Sequence, residues 1–296
     1  MRGNSSIRQS DWRVVFYLFC IYTLRCIPAL LDICSSIIFP KIHWLYFIFQ
    51  KEGLCLKKPV IYAHRGASAY APENTGAAFR KALDMKAGGI ELDVHLSRDG
   101  HVVVCHDERV DRVSNGSGLV KDMTLEELKG LDFGSWFGKE FEGERILTLN
   151  EFLEQIRSWD GMLNVELKSG IVLYDGLEEK VVDALRRFDR IDNCIISSFN
   201  HYSLLTIKKL EPNLKIGLLY SAGLVEPWEY AKRIGADAVH PLFYSLIPPI
   251  IRGCRENGII INAWTVDQPE YIRALAANGV DGIITNVPDI ALEVTS

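Results

Sequence analysis

An alternation constrains this chain more than any other feature. Eight short β-type runs, at residues 60–64, 89–95, 162–168, 194–198, 215–220, 238–242, 259–266 and 282–285, are separated by stretches of helical periodicity. The amphipathic stretches include residues 75–86, 177–188, 202–210, 227–234, 245–257 and 269–278. Three connections, Gly88-Gly89-Ile90-Glu91, Gly235-Ala236-Asp237-Ala238 and Gly279-Val280-Asp281-Gly282, put glycine where a helix ends and an apolar strand begins. That is the usual place of a left-handed helix cap. Strands alternating with helices predict a parallel sheet, and eight of them over about 240 residues predict a (β/α)8 TIM barrel. A doubly wound open sheet is the rival, but no Gly-rich dinucleotide loop follows the first strand.

One connection is too long for a simple strand–helix unit. After the second strand, Ser97-Arg98-Asp99-Gly100-His101 carries an Asp-Gly turn signal, and a return strand at 102–105 leads into His106-Asp107. Glycine-rich Ser114-Asn115-Gly116-Ser117-Gly118 and a short helix at 125–131 follow. This reads as a small insertion between the second and third barrel strands, folded over the C-terminal mouth, where long structured loops carry function.

Ahead of the barrel lies a different kind of sequence. Of residues 12–50, 28 of 39 are apolar, which separates an N-terminal segment, 1–51, from the barrel, 52–296. Arg2, Arg8 and Arg13 give a basic start, but no A-x-A cleavage site follows. Arg25, Pro28, Asp32 and Lys41 divide the segment into pieces at 14–24, 33–40 and 42–49, each short of a clean spanning helix. We read residues 12–50 as membrane-associated, spanning or interfacial; a packed helical extension and a start codon assigned too early are the alternatives. The barrel itself is expected in the cytoplasm. A formal charge of −5 without a long basic run excludes nucleic acid as the main partner. Seven cysteines, none spaced C-x-x-C, support neither a disulfide framework nor a zinc site.

Barrel enzymes place their working groups at the C-terminal ends of strands. The first strand ends in Ala63-His64-Arg65-Gly66, the second carries Glu91-Leu92-Asp93, and the third is Asn164-Val165-Glu166-Leu167-Lys168. Period-2 geometry turns Glu91, Asp93, Asn164, Glu166 and Lys168 inward, while Ile90, Leu92 and Val94 face the helices. Converging carboxylates in an apolar core are costly without a cation. A bound metal is the simplest stabiliser, and an all-oxygen set favours Mg²⁺ or Ca²⁺. A structural salt-bridge network with Arg65 and Lys168 is the competing explanation. His64 and His106 stand at strand ends that the fold can bring to one mouth, where two imidazoles suit acid and base roles. His95 and His240 read as barrel or surface residues. Trp264 reads equally as barrel core or as a substrate platform. No G-x-S-x-G elbow is present, and Gly134–Lys139 is one residue short of a phosphate-binding loop.

From about residue 59 to residue 288 the motifs resemble the glycerophosphodiester phosphodiesterase family. They are His64-Arg65-Gly66, Pro72-Glu73-Asn74-Thr75, Glu91-Leu92-Asp93 with Asp99-Gly100, His106-Asp107, Ser114-Asn115-Gly116, Asn164-Val165-Glu166-Leu167-Lys168 and Asn262-Ala263-Trp264-Thr265. Gly76 and Leu147 depart from the common pattern and touch none of the chemistry. The resemblance implies one divalent cation held by Glu91, Asp93 and Glu166, with His64 and His106 as acid and base. It also implies that Arg65 and Lys168 neutralise phosphate oxygens and that Trp264 packs on the glycerol. The expected reaction is metal-dependent hydrolysis of a small glycerophosphodiester to glycerol 3-phosphate and an alcohol. A lysophospholipase D acting on membrane-derived lysophospholipids is the nearest alternative. A non-catalytic membrane-tethered barrel is the other, and the complete residue set argues against it.

Overall fold

A computed structural model of the chain describes residues 57–296; the membrane reading of residues 12–50 falls outside the described residues. The strands are β1 (Val60–His64), β2 (Gly89–Leu96), β3 (Val102–Val104), β4 (Met162–Leu167), β5 (Cys194–Ser198), β6 (Lys215–Tyr220), β7 (Ala238–Pro241), β8 (Ile260–Ala263) and β9 (Gly282–Thr285). All but β3 pair in parallel in the order β1-β9-β8-β7-β6-β5-β4-β2, and β2 pairs back onto β1, so the sheet closes into an eight-stranded barrel. The expected (β/α)8 architecture is what forms.

The helices are α1 (Gly76–Asp84), α2 (Leu125–Gly130), α3 (Leu149–Gln155), α4 (Leu177–Arg187), α5 (His201–Leu210), α6 (Pro227–Ile234), α7 (Pro248–Glu256), α8 (Pro269–Asn278) and α9 (Pro288–Val294). Their apolar faces meet the outward residues of the strands. Ile90, Leu92 and Val94 of β2 are fully buried, and Phe79 of α1 packs on Phe152 of α3 with ring centroids 4.6 Å apart. Each such side chain stabilises the fold by roughly 1.5–3 kcal/mol. Among the described residues no helix is long and apolar enough to cross a membrane.

The insertion is real and has its own small core. β3 returns antiparallel along the end of β2, with Val94 opposite Val104 and Leu96 opposite Val102. Val103, Cys105, Val110, Val113, Val120, Leu128, Phe133 and Ile146 form a separate apolar cluster. Because Val103 and Cys105 are anchored in that cluster, the backbone that presents His106 is fixed as well.

Two boundaries differ from expectation by several residues, and two helices are additional. The strand expected at 259–266 is continuous only over Ile260–Ala263; Trp264 keeps its register as an isolated parallel bridge to Leu242, its N–H donating to the Pro241 carbonyl at the end of β7 and its carbonyl accepting from the Phe243 N–H. The helix expected from 245 starts at Pro248: proline fixes the first-turn geometry and drives Ile247 extended. Helices α3 and α9 are additional, each seven residues long. α3 does carry a signal, a capping box in which Thr148 and Glu151 satisfy each other's backbone N–H groups.

Candidate active site

Cross-strand register assembles the site from three neighbouring strands. His64 on β1 stands opposite Glu91 on β2, and Asp93 on β2 stands opposite Glu166 on β4. Glu91, Asp93 and Glu166 each offer a carboxylate oxygen within 4.8 Å of the others. Adjacent strands lie about 4.8 Å apart, so partner positions on one face must meet in this way.

The electrostatics of the three are unequal. Burial, then the charges of Asp93 and Glu166, push Glu91 well above the usual carboxylate range. Burial, then Asp93, pushes Glu166 up to about 7. Burial opposes ionisation of Asp93 too, but Arg65, Lys168, His106 and a hydrogen bond from Asn74 outweigh it and hold Asp93 low. The protein's own cations do not complete the cluster. Lys168 Nζ is 2.8 Å from Glu166 Oε1 but 3.8 Å from Asp93 Oδ1, and that Asp93 oxygen is buried without a hydrogen-bond partner. Three oxygens, one of them orphaned, with repulsion raising two of the acids, fit a hard divalent cation. The purely structural salt-bridge reading leaves that orphan unexplained.

The turn after β1 is shaped around the same carboxylates. Arg65 adopts φ +57, a left-handed conformation that is strained for a side chain of its size, and its backbone N–H donates to Glu91 Oε2 at 2.9 Å. Its guanidinium lies 3.4 Å from Asp93 Oδ2 and donates to Glu73 Oε1 at 2.8 Å. Each residue of the Glu73-Asn74-Thr75 run has a task. Glu73 holds Arg65, Asn74 donates to Asp93 Oδ2 at 2.9 Å, and Thr75 caps α1.

Both candidate histidines are held through Nδ1. That atom of His64 lies 2.7 Å from Asn286 Oδ1, and that of His106 lies 2.6 Å from Asp107 Oδ1. Burial, helped by Arg65, lowers His64 to about 4, so its imidazole is neutral at ordinary pH. His106 follows the return strand of the insertion, and the Cys105 N–H donates to the Asp93 carbonyl at 3.0 Å, which ties this segment to β2.

The remaining residues sort themselves. His95 is fully buried; its Nε2 donates to the His106 carbonyl at 3.1 Å while Tyr174 donates to its Nδ1 at 2.8 Å. It is a barrel residue, as expected, and it also supports the backbone of His106. His240 is enclosed in the barrel with Asn262. Trp264 stands beyond β8, donating its indole N–H to the His240 carbonyl and meeting Phe199 edge-on at 5.6 Å.

The sequence reading passed over Arg112, Asp267 and Asn286, and quoted Asp107 beside His106 without giving it a role. Asn286 directly follows the last barrel strand, and a polar residue at a C-terminal strand end was the available signal. Arg112 sits in a charged run and had none.

The family model of the glycerophosphoryl diester phosphodiesterase family matches residues 64–290. A glycerophosphodiester phosphodiesterase of Caldanaerobacter subterraneus subsp. tengcongensis is 53% identical over 232 residues, covering 78% of this chain and 96% of that protein. One from Bacillus altitudinis is 38% identical over 237 residues, covering 79% and 97%. Among solved structures, an Oleispira antarctica phosphodiesterase in complex with the product sn-glycerol-3-phosphate is 32% identical, with a TM-score of 0.75 over 80% of this chain and 96% of that one.

Proposed function

The chain belongs to the glycerophosphoryl diester phosphodiesterase family, and from that premise we propose that it hydrolyses glycerophosphodiesters to glycerol 3-phosphate and an alcohol. The observation that carries the reading is one cluster: Glu91, Asp93 and Glu166 within 4.8 Å, beside Arg65 and Lys168, with two imidazoles each held through Nδ1.

A Mg²⁺ or Ca²⁺ ion held by Glu91, Asp93 and Glu166 would supply Lewis-acid polarisation of the phosphoryl group. Arg65 and Lys168 would neutralise phosphate oxygens and stabilise the charge that builds on them, in a setting that excludes most water. His64 is neutral and keeps its Nε2 lone pair, which suits the base that takes the nucleophile's proton. His106 has the Asp107 carboxylate on Nδ1, an arrangement that stabilises an imidazolium whenever one forms. His106 therefore serves as the acid that protonates the departing alkoxide. Trp264 would pack on the glycerol. Attack by a glycerol hydroxyl differs from attack by water in passing through a cyclic phosphate, which phosphorus NMR detects.

The test is release of glycerol 3-phosphate from glycerophosphocholine by the full chain, with and without chelator. Release that EDTA abolishes and Mg²⁺ or Ca²⁺ restores is the expected result. Full turnover after exhaustive metal removal overturns the metal; no release from any headgroup overturns the substrate. Membrane association through residues 12–50 belongs to the same proposal and is supported by their composition. Sedimentation with membranes, reversed by carbonate or only by detergent, tests it.

A further inference from the structure

We propose that Arg112 is a positioning residue for the reaction: one guanidinium sets both His106, through Asp107, and Arg65, through Glu73. The proposal rests on the reading of His106 as a proton-transfer group.

The geometry is a double fork. Arg112 Nη1 and Nη2 donate to the two oxygens of Glu73, each at 2.8 Å. Its Nε and Nη2 donate to the two oxygens of Asp107 at 2.8 and 2.9 Å. Both carboxylates then reach a working group. Asp107 Oδ1 accepts from His106 Nδ1 at 2.6 Å, and Glu73 Oε1 accepts from Arg65 Nη1 at 2.8 Å. The chain His106–Asp107–Arg112–Glu73–Arg65 thus spans two parts of the fold. Glu73 lies in the loop between β1 and α1, whereas His106, Asp107 and Arg112 belong to the insertion after β3.

Several features set this apart from an ordinary surface ion pair, which contributes about 0–1 kcal/mol. The Glu73 side chain is only 12% exposed, so it cannot swing into solvent to find another partner. Val110 and Val113 flank Arg112 and are buried in the insertion core, which fixes the backbone that presents it. A guanidinium offers its donors in a rigid plane and can chelate two carboxylates along two edges. A lysine ammonium is a point charge and cannot orient both.

Charge supports the same arrangement. The Arg112 hydrogen bond, ahead of other causes, holds Asp107 down to about 2. Burial works against ionisation of Glu73, but Arg112 and Arg65 together outweigh it and keep its carboxyl below the usual range. Both carboxylates therefore stay charged across neutral pH, and each can hold its catalytic partner in a fixed hydrogen bond.

The experiment is steady-state turnover of glycerophosphocholine by the full chain carrying Arg112→Ala, Arg112→Lys, Asp107→Asn, His106→Ala or the Arg112→Ala/His106→Ala pair. Orienting partners of this kind typically contribute about 10–100-fold to activity. Arg112→Ala should lower kcat by about that factor and raise KM through Arg65, and Arg112→Lys should not restore either. Added guanidinium ion should recover part of kcat in Arg112→Ala and none in Arg112→Lys. In the His106→Ala background, removing Arg112 should lower kcat by a clearly smaller factor than in the wild-type background, the remainder acting through Arg65, while its effect on KM persists. Wild-type turnover by Arg112→Ala, or a kcat loss that simply multiplies with that of His106→Ala, overturns the brace. If Arg112→Ala does not fold, Arg112→Lys and Asp107→Asn decide: each must lose kcat at an unchanged unfolding temperature, and full kcat in both overturns it. A fully active His106→Ala enzyme sinks the reading of His106 itself, whereas an inactive one beside a wild-type Arg112→Ala sinks only the brace.

Discussion

Asn286 dictates which nitrogen of His64 carries the proton. Asn286 Oδ1 is 2.7 Å from His64 Nδ1, while Asn286 Nδ2 donates to Asp267 Oδ2 at 2.7 Å and Ser68 Oγ donates to the same Oδ1 at 2.7 Å. The Asp267 carboxylate can only accept, so the amide cannot be turned round. Its oxygen must face the imidazole, and Nδ1 must donate. The lone pair is left on Nε2, 4.0 Å from Glu91 Oε2.

Removing that anchor should therefore disturb catalysis more than folding. Asn286→Ala is expected to lower kcat by about 10–100-fold, with a smaller change in KM and little change in unfolding temperature. Asn286→Asp should do no better, since it sets a second carboxylate against Asp267. Wild-type kcat in Asn286→Ala would mean that the tautomer is fixed elsewhere.

The two histidines should be separable from their support. His64→Ala and His106→Ala are each expected to lower turnover by roughly 10²–10⁴-fold in a folded protein. His95→Ala loses the bond to the His106 carbonyl and leaves the Tyr174 hydroxyl unpartnered, so a loss nearer tenfold is expected, with some loss of stability. Turnover and circular dichroism on the three variants give the ranking; His95→Ala as inactive as His106→Ala would promote His95 to the working set.

Gly66 is expected to tolerate nothing larger. Its φ is +82, and a Cβ would sit 2.6 Å from the Ala78 backbone carbon and 2.7 Å from Ala78 Cβ in the first turn of α1. Gly66→Ala combines an unfavourable backbone with overpacking against an element that cannot retreat, at about 2–4 kcal/mol. For a domain of this size that is a fall of roughly 5–15 °C in Tm by thermal scanning. A Tm within a degree or two of wild type would show that the turn relaxes.

How far the site could be read from sequence depends on the kind of rule that places each residue. Glu91, Asp93 and Glu166 were legible because strand periodicity alone decides which way they point, and parallel register then makes them neighbours. His64 was legible as a strand end. The partners of the histidines were not: Asp107 lies beside His106 in sequence, but Asn286 is 222 residues from His64 and meets it only because β9 closes the barrel against β1. Arg112 was invisible for another reason. A charged residue in an insertion reads as a solvated surface until packing shows which carboxylates it bridges. The end of β8 was misjudged because residues 264–266 keep a strand-like pattern and bond to the neighbouring strands only at single points, Trp264 to β7 and Val266 to β9, without a continuous ladder.

The carboxylate cluster predicts how stability responds to pH and metal together. Glu166 binds a proton in the folded, metal-free protein up to about pH 7, against an ordinary value of 4.5, and Glu91 is raised as well. Where the folded state binds more protons than the unfolded chain, stability falls as pH rises. The contribution of these two carboxyls to the metal-free protein should therefore fall between about pH 4.5 and 7, while the buried neutral His64, His95 and His240 contribute more as pH rises through the same window. Asp107 has the opposite sign to the two carboxyls. Its folded value of about 2 lies below the ordinary 3.8, so its contribution is complete above the unfolded value and is lost as pH falls through about 2. Asp107 is partly exposed, which keeps that contribution small. A divalent cation must displace the protons on Glu166 and Glu91, so its affinity should rise with pH through the same window. Thermal scans with EDTA and with saturating Mg²⁺ or Ca²⁺, taken from pH 4 to 8, should show a Tm gain that is small at the acid end and grows toward neutrality. Glu166→Gln should weaken metal binding while removing the Glu166 share of that fall. A Tm gain independent of pH would mean that these carboxyls do not hold the ion.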